Sequence, residues 1–253
     1  MRIDINSDMG ESFGAYTIGH DAGLMKSITS ANIAAGFHAG DPSVLRATIR
    51  LAKAHGVAVG AHPGYPDLVG FGRRAMAVSP KEAEDFVLYQ IAAVAGVAQA
   101  EGVRLQHVKA HGELFNVAAK HAELAMAIAR AVAAFDPSLI FFGTPRSELL
   151  NAGKAMGLRT ASEVFADRAY EPDGSLMSRR KPGAVIHDVE TVAARAVRMV
   201  KDRSVVASDG SVVPLDADTI CVHGDTPGSD ELAARIRAGL EQAGFLVKAI
   251  GAS

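Results

Sequence analysis

Residues 30–62 read SANIAAGFHAGDPSVLRATIRLAKAHGVAVGAH and hold a strand, a helix and a second strand in succession. The run Ser30–Ala34 predicts the first strand. Asp41, followed by a proline, is typical of a helix N-terminus, and Gly56 is typical of the residue after a helix. Residues 57–61, small and β-branched, predict the second strand. Because a helix joins the two strands, we expect them to run parallel in one sheet.

The same alternation covers the rest of the chain and predicts an α/β protein. Further strands are predicted at residues 2–6, 103–110, 139–143, 158–165, 219–223 and 245–250. Helices are predicted at 79–102, 117–135, 145–157, 188–200 and 229–244. The sequence Ser208-Asp-Gly210 predicts a small C-terminal hairpin insertion between residues 204–207 and 211–215. No linker interrupts the chain, so residues 1–253 are expected to form one domain.

Composition excludes several classes of protein. Of 253 residues, 49% are hydrophobic and 21% are charged, as in ordinary globular domains. A formal net charge of −2 gives no basic field for nucleic acid, and no apolar run is long enough to cross a bilayer. The first residues are too charged for a signal peptide, and the single cysteine, Cys221, has no disulfide partner. We therefore expect a cytoplasmic protein that binds neither nucleic acid nor membranes.

The distribution of polar residues distinguishes between two parallel architectures. In an open doubly wound sheet, functional residues gather at one switch point, whereas in a (β/α) barrel they follow every strand. Here polar residues follow nearly every predicted strand, at Asn6-Ser-Asp8, Phe37-His38, His62-Pro63, His111-Gly112, Glu163–Arg168 and His223-Gly-Asp225. This pattern favours a (β/α) barrel.

The first strand of the whole chain, which begins at residue 2, carries an unusual row of polar groups. Asp4, Asn6 and Asp8 share one face of an extended strand, and Glu11 follows shortly after. Burying such groups is costly unless they meet a ligand, a metal or each other. A solvated first strand is the alternative interpretation.

Histidines follow the next two strands. His38 lies between Gly36 and Gly40, which allow the backbone to approach a small ligand. Asp41 is explained equally well as a helix cap. His62 opens a loop with two prolines and three glycines, a composition that suggests an ordered functional loop.

Cationic residues complete the set of candidates. Of the neighbours Arg73 and Arg74, we expect one to bind a carboxylate or phosphate. Lys109 and His111 alternate onto one face at a strand end, where a buried lysine needs a carboxylate or ligand. Further polar candidates are Glu163, Asp167, Arg168, Tyr170, Arg179, Arg180, His223 and Asp225.

Other features have simpler interpretations. Cys221 is expected to be a small core residue, and His107 is expected to be structural or solvated. The sequence has no phosphate-binding loop, no dinucleotide-binding glycine motif and no His-Glu-x-x-His motif. Any nucleotide or metal must therefore be bound by scattered residues.

Taken in order, these motifs resemble the LamB/YcsF family over essentially the whole chain. The segments that carry the resemblance are DINSDMGESFG (4–14), ANIAAGFHAGDP (31–42), AHPGYPD (61–67), GFGRR (70–74), KAHG (109–112), EVFADRAY (163–170), KPGAVI (181–186) and VHGD (222–225). The resemblance implies a seven-stranded barrel of the type found in glycoside hydrolases and polysaccharide deacetylases.

The resemblance also implies an activity, the ATP-dependent hydrolysis of 5-oxo-L-proline (pyroglutamate) to L-glutamate by a 5-oxoprolinase. This chain would be the A subunit of that enzyme, and two further subunits (B and C) would complete it. The ATP site would lie on this chain or be shared with the partners, and a divalent metal is left open.

Such a reaction needs a base for water, donors for oxyanion charge and cations for anionic groups. Asp8 or His38 is expected as the base, with His62, Lys109 and His111 as donors. Residues expected to bind substrate or phosphate are Asn6, Glu11, Asn32, Arg73, Glu163, Asp167, Arg179 and His223.

Two other functions remain open at this point. The first is a metal-dependent deacetylase or amidohydrolase that acts alone, because histidines and carboxylates are typical zinc ligands. Its ligands would be Asp8, His38, His62 and His223. The second is a non-catalytic subunit, which binds substrate without catalysing any step.

Overall fold

The computed structural model describes residues 1–179, 181–224 and 228–251. Within these ranges there are ten strands: β1 (Arg2–Met9), β2 (Ser30–Ala34), β3 (Ala58–His62), β4 (Leu105–Val108), β5 (Ile140–Gly143), β6 (Arg159–Phe165), β7 (Ser204–Val206), β8 (Val212–Pro214), β9 (Thr219–Val222) and β10 (Leu246–Val247). Strands β1 to β6 and β9 are parallel neighbours, and pairing of β1 with β9 closes them into a ring. The predicted seven-stranded (β/α) barrel is confirmed.

Helices cover the outside of the barrel. In the described part of the chain they are α1 (Asp21–Leu24), α2 (Pro42–His55), α3 (Pro80–Ala100), α4 (Gly112–Ala118), α5 (Ala122–Phe135), α6 (Glu148–Ala155), α7 (Val189–Lys201) and α8 (Ser229–Gln242). Their apolar faces and the outward side chains of the strands form one large hydrophobic core. None of these helices is both long and apolar enough to cross a membrane.

Side-chain caps explain where two helices begin. The Asp41 carboxylate accepts hydrogen bonds from the backbone N–H groups of Ser43 and Val44, as its sequence position predicts. Ser79 and Glu82 bond reciprocally at the start of α3. The hairpin is also confirmed, because β7 and β8 pair antiparallel.

Three predicted elements differ from the structure. The single helix predicted at 117–135 is two helices, because the Ala119 carbonyl accepts a hydrogen bond from the Glu148 backbone. Helix α6 begins at Glu148 and not at Pro145, because the Ser147 side chain caps it. The last strand is only two residues long and pairs with the start of β1.

The barrel interior around Asp4 and Asn6 is a connected network of polar side chains. The Asp4 carboxylate accepts hydrogen bonds from the hydroxyls of Thr29, Ser30 and Thr219. Asn6 donates to Thr219 and accepts from Asn32. Every member is thus partnered inside the barrel, which offsets the cost of its burial.

His107 extends this network. The sequence predicts a structural or solvated residue, and His107 is a structural one, buried inside the barrel with Nε2 2.8 Å from Asn32 Oδ1. Burial lowers the pKa of His107 to about 3, so the ring is neutral. Opposite it, a Cβ on Gly60 would lie 2.1 Å from His107 Nε2, so only glycine fits at this position.

A small apolar cluster lies beside the network. Phe142 stacks on His107, with ring centroids 4.5 Å apart, and packs with Ile140, Ala161 and Ile250. Ile250 belongs to the C-terminal segment, which therefore packs against the strand ends opposite those that carry His62 and Lys109.

Asp4 makes the stability of the barrel dependent on pH. Burial raises the pKa of Asp4 from 3.8 to about 6, despite its hydroxyl donors. Between these pH values the folded protein binds a proton that the unfolded chain lacks, so this carboxyl adds stability as pH falls. We expect the wild type to gain about 3 kcal/mol relative to Asp4→Asn between about pH 7 and about pH 4.

Urea unfolding of both proteins at a series of pH values measures this difference. The exposed carboxyl Asp85, changed to asparagine, is the matched control. A difference between wild type and Asp4→Asn that stays constant over the range would contradict the prediction.

Candidate active site

The carboxyl ends of the barrel strands bring distant polar residues together. Asp8 lies near the end of β1, Asn32 on β2, His62 at the end of β3, Lys109 directly after β4 and Glu163 on β6. All five lie at the same end of the barrel, because parallel strands all finish there. These five of the residues that the sequence predicts for the site therefore share one location, mostly buried.

Lys109 is at the centre of this group. Its ammonium nitrogen lies 2.8 Å from Asp8 Oδ1, 2.8 Å from Glu163 Oε1 and 3.1 Å from Cys221 Sγ. Burial alone would lower the pKa of Lys109, but the Asp8 and Glu163 carboxylates raise it well above its usual value. The ammonium therefore stays charged and acts as a donor, not as a base.

Asp8 is ionised in this setting. It accepts hydrogen bonds from Asn32 Nδ2 at 2.9 Å and from Lys109, and its Oδ1 lies 3.3 Å from His62 Nε2. Burial would raise the pKa of Asp8, but His62 and Lys109 outweigh it and hold the pKa well below its usual value. The carboxylate is thus available to orient a water or a substrate N–H.

Cys221 has a different environment from the one predicted. It is buried as expected, but its thiol lies inside the barrel against Lys109 and not in the apolar core alone. Burial raises the pKa of the thiol well above its usual value. A neutral thiol is a poor nucleophile, which agrees with the prediction that Cys221 does not attack substrate.

A compact group of histidines adjoins Asp8. The rings of His38 and His111 stack with centroids 3.7 Å apart, and His62 meets both edge-on. Burial, together with the neighbouring histidines, lowers the pKa of His38 well below its usual value and that of His111 to about 3. These two imidazoles are therefore neutral.

Glu11 joins the histidines in an arrangement able to hold a metal ion. One ligand atom from each of Glu11, His38, His62 and His111 lies within 4.8 Å of all the others. All four residues are buried. This group differs from the set that the sequence suggests for a metal-dependent enzyme, because Asp8 is replaced by Glu11 and His223 by His111.

His223 belongs to a second cluster at the edge of the site. Its Nδ1 donates to Asp167 Oδ2 at 2.8 Å, and Arg179 donates to its Nε2 at 2.7 Å. Burial would raise the pKa of Asp167, but His223 outweighs it and lowers the pKa. Phe165 links the two clusters, since its ring lies 5.6 Å from that of His223 and 5.7 Å from Lys109 Nζ.

Two of the remaining candidates are the neighbouring arginines Arg73 and Arg74. Arg73 lies over the Phe71 ring, 4.9 Å from its centroid, and Phe71 borders the histidines. Arg74 is held by Asp67, and of the two arginines it is Arg73 whose guanidinium lies over the ring that borders the histidines.

Two buried residues after β6 have structural partners. Arg168 donates to the Met177 and Ala184 carbonyls, and the Tyr170 hydroxyl accepts from the Phe165 backbone. Arg180 and Asp225 lie outside the described residues.

Sequence reasoning missed the role of His107. Residues 107, 109 and 111 alternate along β4 and its continuation, so the argument that joined Lys109 to His111 also applies to His107. Its link to the site runs through Asn32, which donates to Asp8.

Comparison with known proteins finds relatives that match nearly the whole chain. The chain is 56% identical over 251 residues to the A subunit of 5-oxoprolinase from Thermococcus onnurineus, covering 99% of this chain and 98% of the relative. It is 53% identical to the protein of the same name from Bordetella pertussis, covering 98% of each.

Solved structures give the same picture. The crystal structure of the lactam utilization protein from Thermus thermophilus is 49% identical, with a TM-score of 0.95 over 99% of this chain and 100% of that one. The catalytic domain of a peptidoglycan N-acetylglucosamine deacetylase from Eubacterium rectale shares only the fold, at 12% identity and a TM-score of 0.52 over 99% of this chain and 90% of that one.

The sequence profile of the LamB/YcsF family matches residues 3–253, almost the entire chain. Together with relatives more than half identical over nearly their full length, this match settles the relationship. The chain belongs to the LamB/YcsF family.

Proposed function

We propose that this chain is the A subunit of a cytoplasmic, ATP-dependent 5-oxoprolinase, which hydrolyses 5-oxo-L-proline to L-glutamate together with the B and C subunits. The names of the relatives support this role, as does a lactam utilization protein of the same structure. The observation that carries the proposal is the buried Lys109 ammonium held between Asp8 and Glu163 at the barrel mouth. A fixed positive charge there suits the oxygen that becomes negative after water has added to the lactam carbon and lost its proton.

The substrate explains why ATP is needed. A five-membered lactam is a stable amide, and its carbonyl carbon is a poor electrophile. Transfer of the γ-phosphoryl group of ATP to the lactam oxygen releases ADP and activates this carbon. A first water then adds to it, the C–N bond breaks, and the nitrogen takes a proton. A second water releases phosphate and leaves the γ-carboxylate of glutamate.

Asp8 and Lys109 are assigned to the carbon end of the scissile bond. The ionised Asp8 carboxylate orients the attacking water and accepts its proton, which makes Asp8 the better base than the neutral, stacked His38. Lys109 stabilises the negative charge that develops on oxygen. Glu163, on the other side of Lys109, keeps the ammonium in position.

The Asp167–His223 pair is assigned to the nitrogen end. Asp167 accepts the Nδ1–H of His223, which fixes the ring, so that Nε2, once protonated from solvent, gives its proton to the leaving nitrogen. Arg179 now donates to that Nε2, so it must move when substrate binds. Arg73 and Arg179 are then the cations for the substrate carboxylate or the phosphoryl group.

A metal-dependent amidohydrolase that acts alone is the second candidate. The buried group of Glu11 and three histidines favours it, because such a group can hold an ion.

Glutamate release should be measured with the purified chain, with and without ATP, and with and without the B and C subunits. Release that needs ATP and both partners supports the proposal, and release by the chain alone without ATP favours the second candidate. Binding of 5-oxoproline without turnover in any mixture would indicate that the chain only binds substrate.

Replacing Lys109 by methionine tests the assignment of the central cation. We expect Lys109→Met to lower turnover by about 10²- to 10³-fold, because the charge that stabilises the developing oxyanion is lost. Glutamate release in the complete enzyme measures the effect. Lys81→Met, at an exposed lysine of α3, is the matched control. Since Asp8 and Glu163 lose their partner, thermal unfolding must show that the variant is folded. A folded Lys109→Met enzyme with wild-type turnover would rule out the assignment.

Replacing His223 by glutamine tests the proton donor. We expect His223→Gln to lower kcat by about 10²- to 10⁴-fold, because glutamine cannot give a proton to the leaving nitrogen. Asp167→Asn should have an effect that does not add to that of His223→Gln, since the two residues act as one unit. The exposed His121, changed to glutamine, is the control. Wild-type turnover in folded His223→Gln enzyme, or fully additive effects of the two substitutions, would contradict this role.

A further inference from the structure

Backbone carbonyls fix the tautomers of two histidines at the barrel mouth. His62 Nδ1 lies 2.8 Å from the Lys109 carbonyl oxygen, and His111 Nε2 lies 2.9 Å from that of Phe71. A carbonyl oxygen only accepts, so each of these nitrogens carries the ring hydrogen. In a ring that carries this one hydrogen, the other nitrogen, His62 Nε2 or His111 Nδ1, presents a lone pair.

These two lone pairs lie against each other and against carboxylates. His62 Nε2 and His111 Nδ1 are 3.0 Å apart. Asp8 Oδ1 lies 3.3 Å from the first nitrogen, and Glu11 Oε1 lies 3.8 Å from the second. Acceptors this close repel each other in a buried site unless a positive charge lies among them. Lys109 already lies beside Asp8, but the two facing ring nitrogens still need a cation of their own, either a proton on one ring or a metal ion.

His38 distinguishes these two cations. It is buried, and neither of its ring nitrogens has a hydrogen-bond partner among the described residues. Its ring stacks on His111, and its Nε2 lies 3.8 Å from Glu11 Oε1. A proton between His62 and His111 leaves His38 unsatisfied, which is costly for a buried polar group. A metal ion takes a lone pair from all three rings at once.

We propose that Glu11, His38, His62 and His111 bind one divalent transition-metal ion of the zinc type. Three imidazole nitrogens and one carboxylate oxygen are ligands that Zn²⁺ accepts. Three of the six ligand separations are 3.0, 3.8 and 3.8 Å, close to the edge of a tetrahedron around such an ion, about 3.4 Å, and all six lie within 4.8 Å. The carbonyls behind His62 and His111 are the partners that metal-binding histidines ordinarily have.

This site does not depend on the proposed reaction. It is built from four residues to which the proposed reaction assigns no step. One of them, His62, contacts Asp8, the proposed base. The ion would lie next to Asp8, so its charge would also act on that carboxylate.

Metal content of the chain of residues 1–253 is the direct test. The protein is stripped with a chelator, incubated with Zn²⁺ or Co²⁺, freed of unbound metal and analysed by elemental mass spectrometry. We expect about one ion per chain and, with Co²⁺, visible absorption bands of a four- or five-coordinate site. We expect His38→Ala and His111→Ala each to bind at least about tenfold more weakly, since even loss of a supporting contact costs this much.

The control variant is His121→Ala, which removes an exposed histidine and should bind like the wild type. Thermal unfolding with and without Zn²⁺ identifies variants that fail to fold, and the wild-type measurement stands even if a variant does so. Wild-type chain that takes up no stoichiometric metal at micromolar Zn²⁺ and Co²⁺ would overturn the proposal. So would full binding by folded His38→Ala.

The two proposals fail in different ways. A metal-free chain that still supports glutamate release with ATP and its partners contradicts the metal site and leaves the proposed function intact. A chain that binds one ion but supports no lactam opening contradicts the proposed function and leaves the site intact.

Discussion

The burial of a single ammonium group constrains the whole structure. Lys109 is almost inaccessible to solvent, and a lone buried charge is costly unless opposite charges surround it. Asp8 and Glu163 provide that charge, from strands β1 and β6. Lys109 follows β4, on the opposite side of the ring, so its side chain is satisfied only when the barrel is closed. The need to neutralise the buried Lys109 charge therefore constrains both the closure of the barrel and the geometry of the site.

The barrel interior differs from the usual filling of such folds. Barrels of this type are commonly packed with layers of branched apolar side chains. Here hydroxyls, amides and a neutral imidazole fill the space from Asp4 up to Asn32, and only a small cluster around Phe142 is apolar. The candidate site residues at the carboxyl ends of the strands are therefore packed against a network of hydrogen-bonded side chains. This arrangement fixes their orientation, because each amide and hydroxyl has a specific partner.

Local patterns are enough to predict much of this arrangement. Alternation along β1 places Asp4, Asn6 and Asp8 on one face, and all three do point into the barrel. Position at the end of an apolar strand predicts that Lys109 needs a carboxylate. The identity of those carboxylates depends on strand order and on closure between β1 and β9, for which no local signal exists. For the same reason, the sequence could not show that His223 pairs with Asp167 while His111 joins His38.

Closure of the ring also has a consequence during protein synthesis. The ribosome makes β1 first, and β2 follows soon after to cover one of its edges. The other edge waits for β9, at Thr219–Val222, which emerges only after most of the chain has been made. Until then a strand with polar residues on one face is exposed, and pairing over such a distance in sequence is slow. The nascent chain is thus most vulnerable to wrong association along β1, and the last strands to leave the ribosome complete the first.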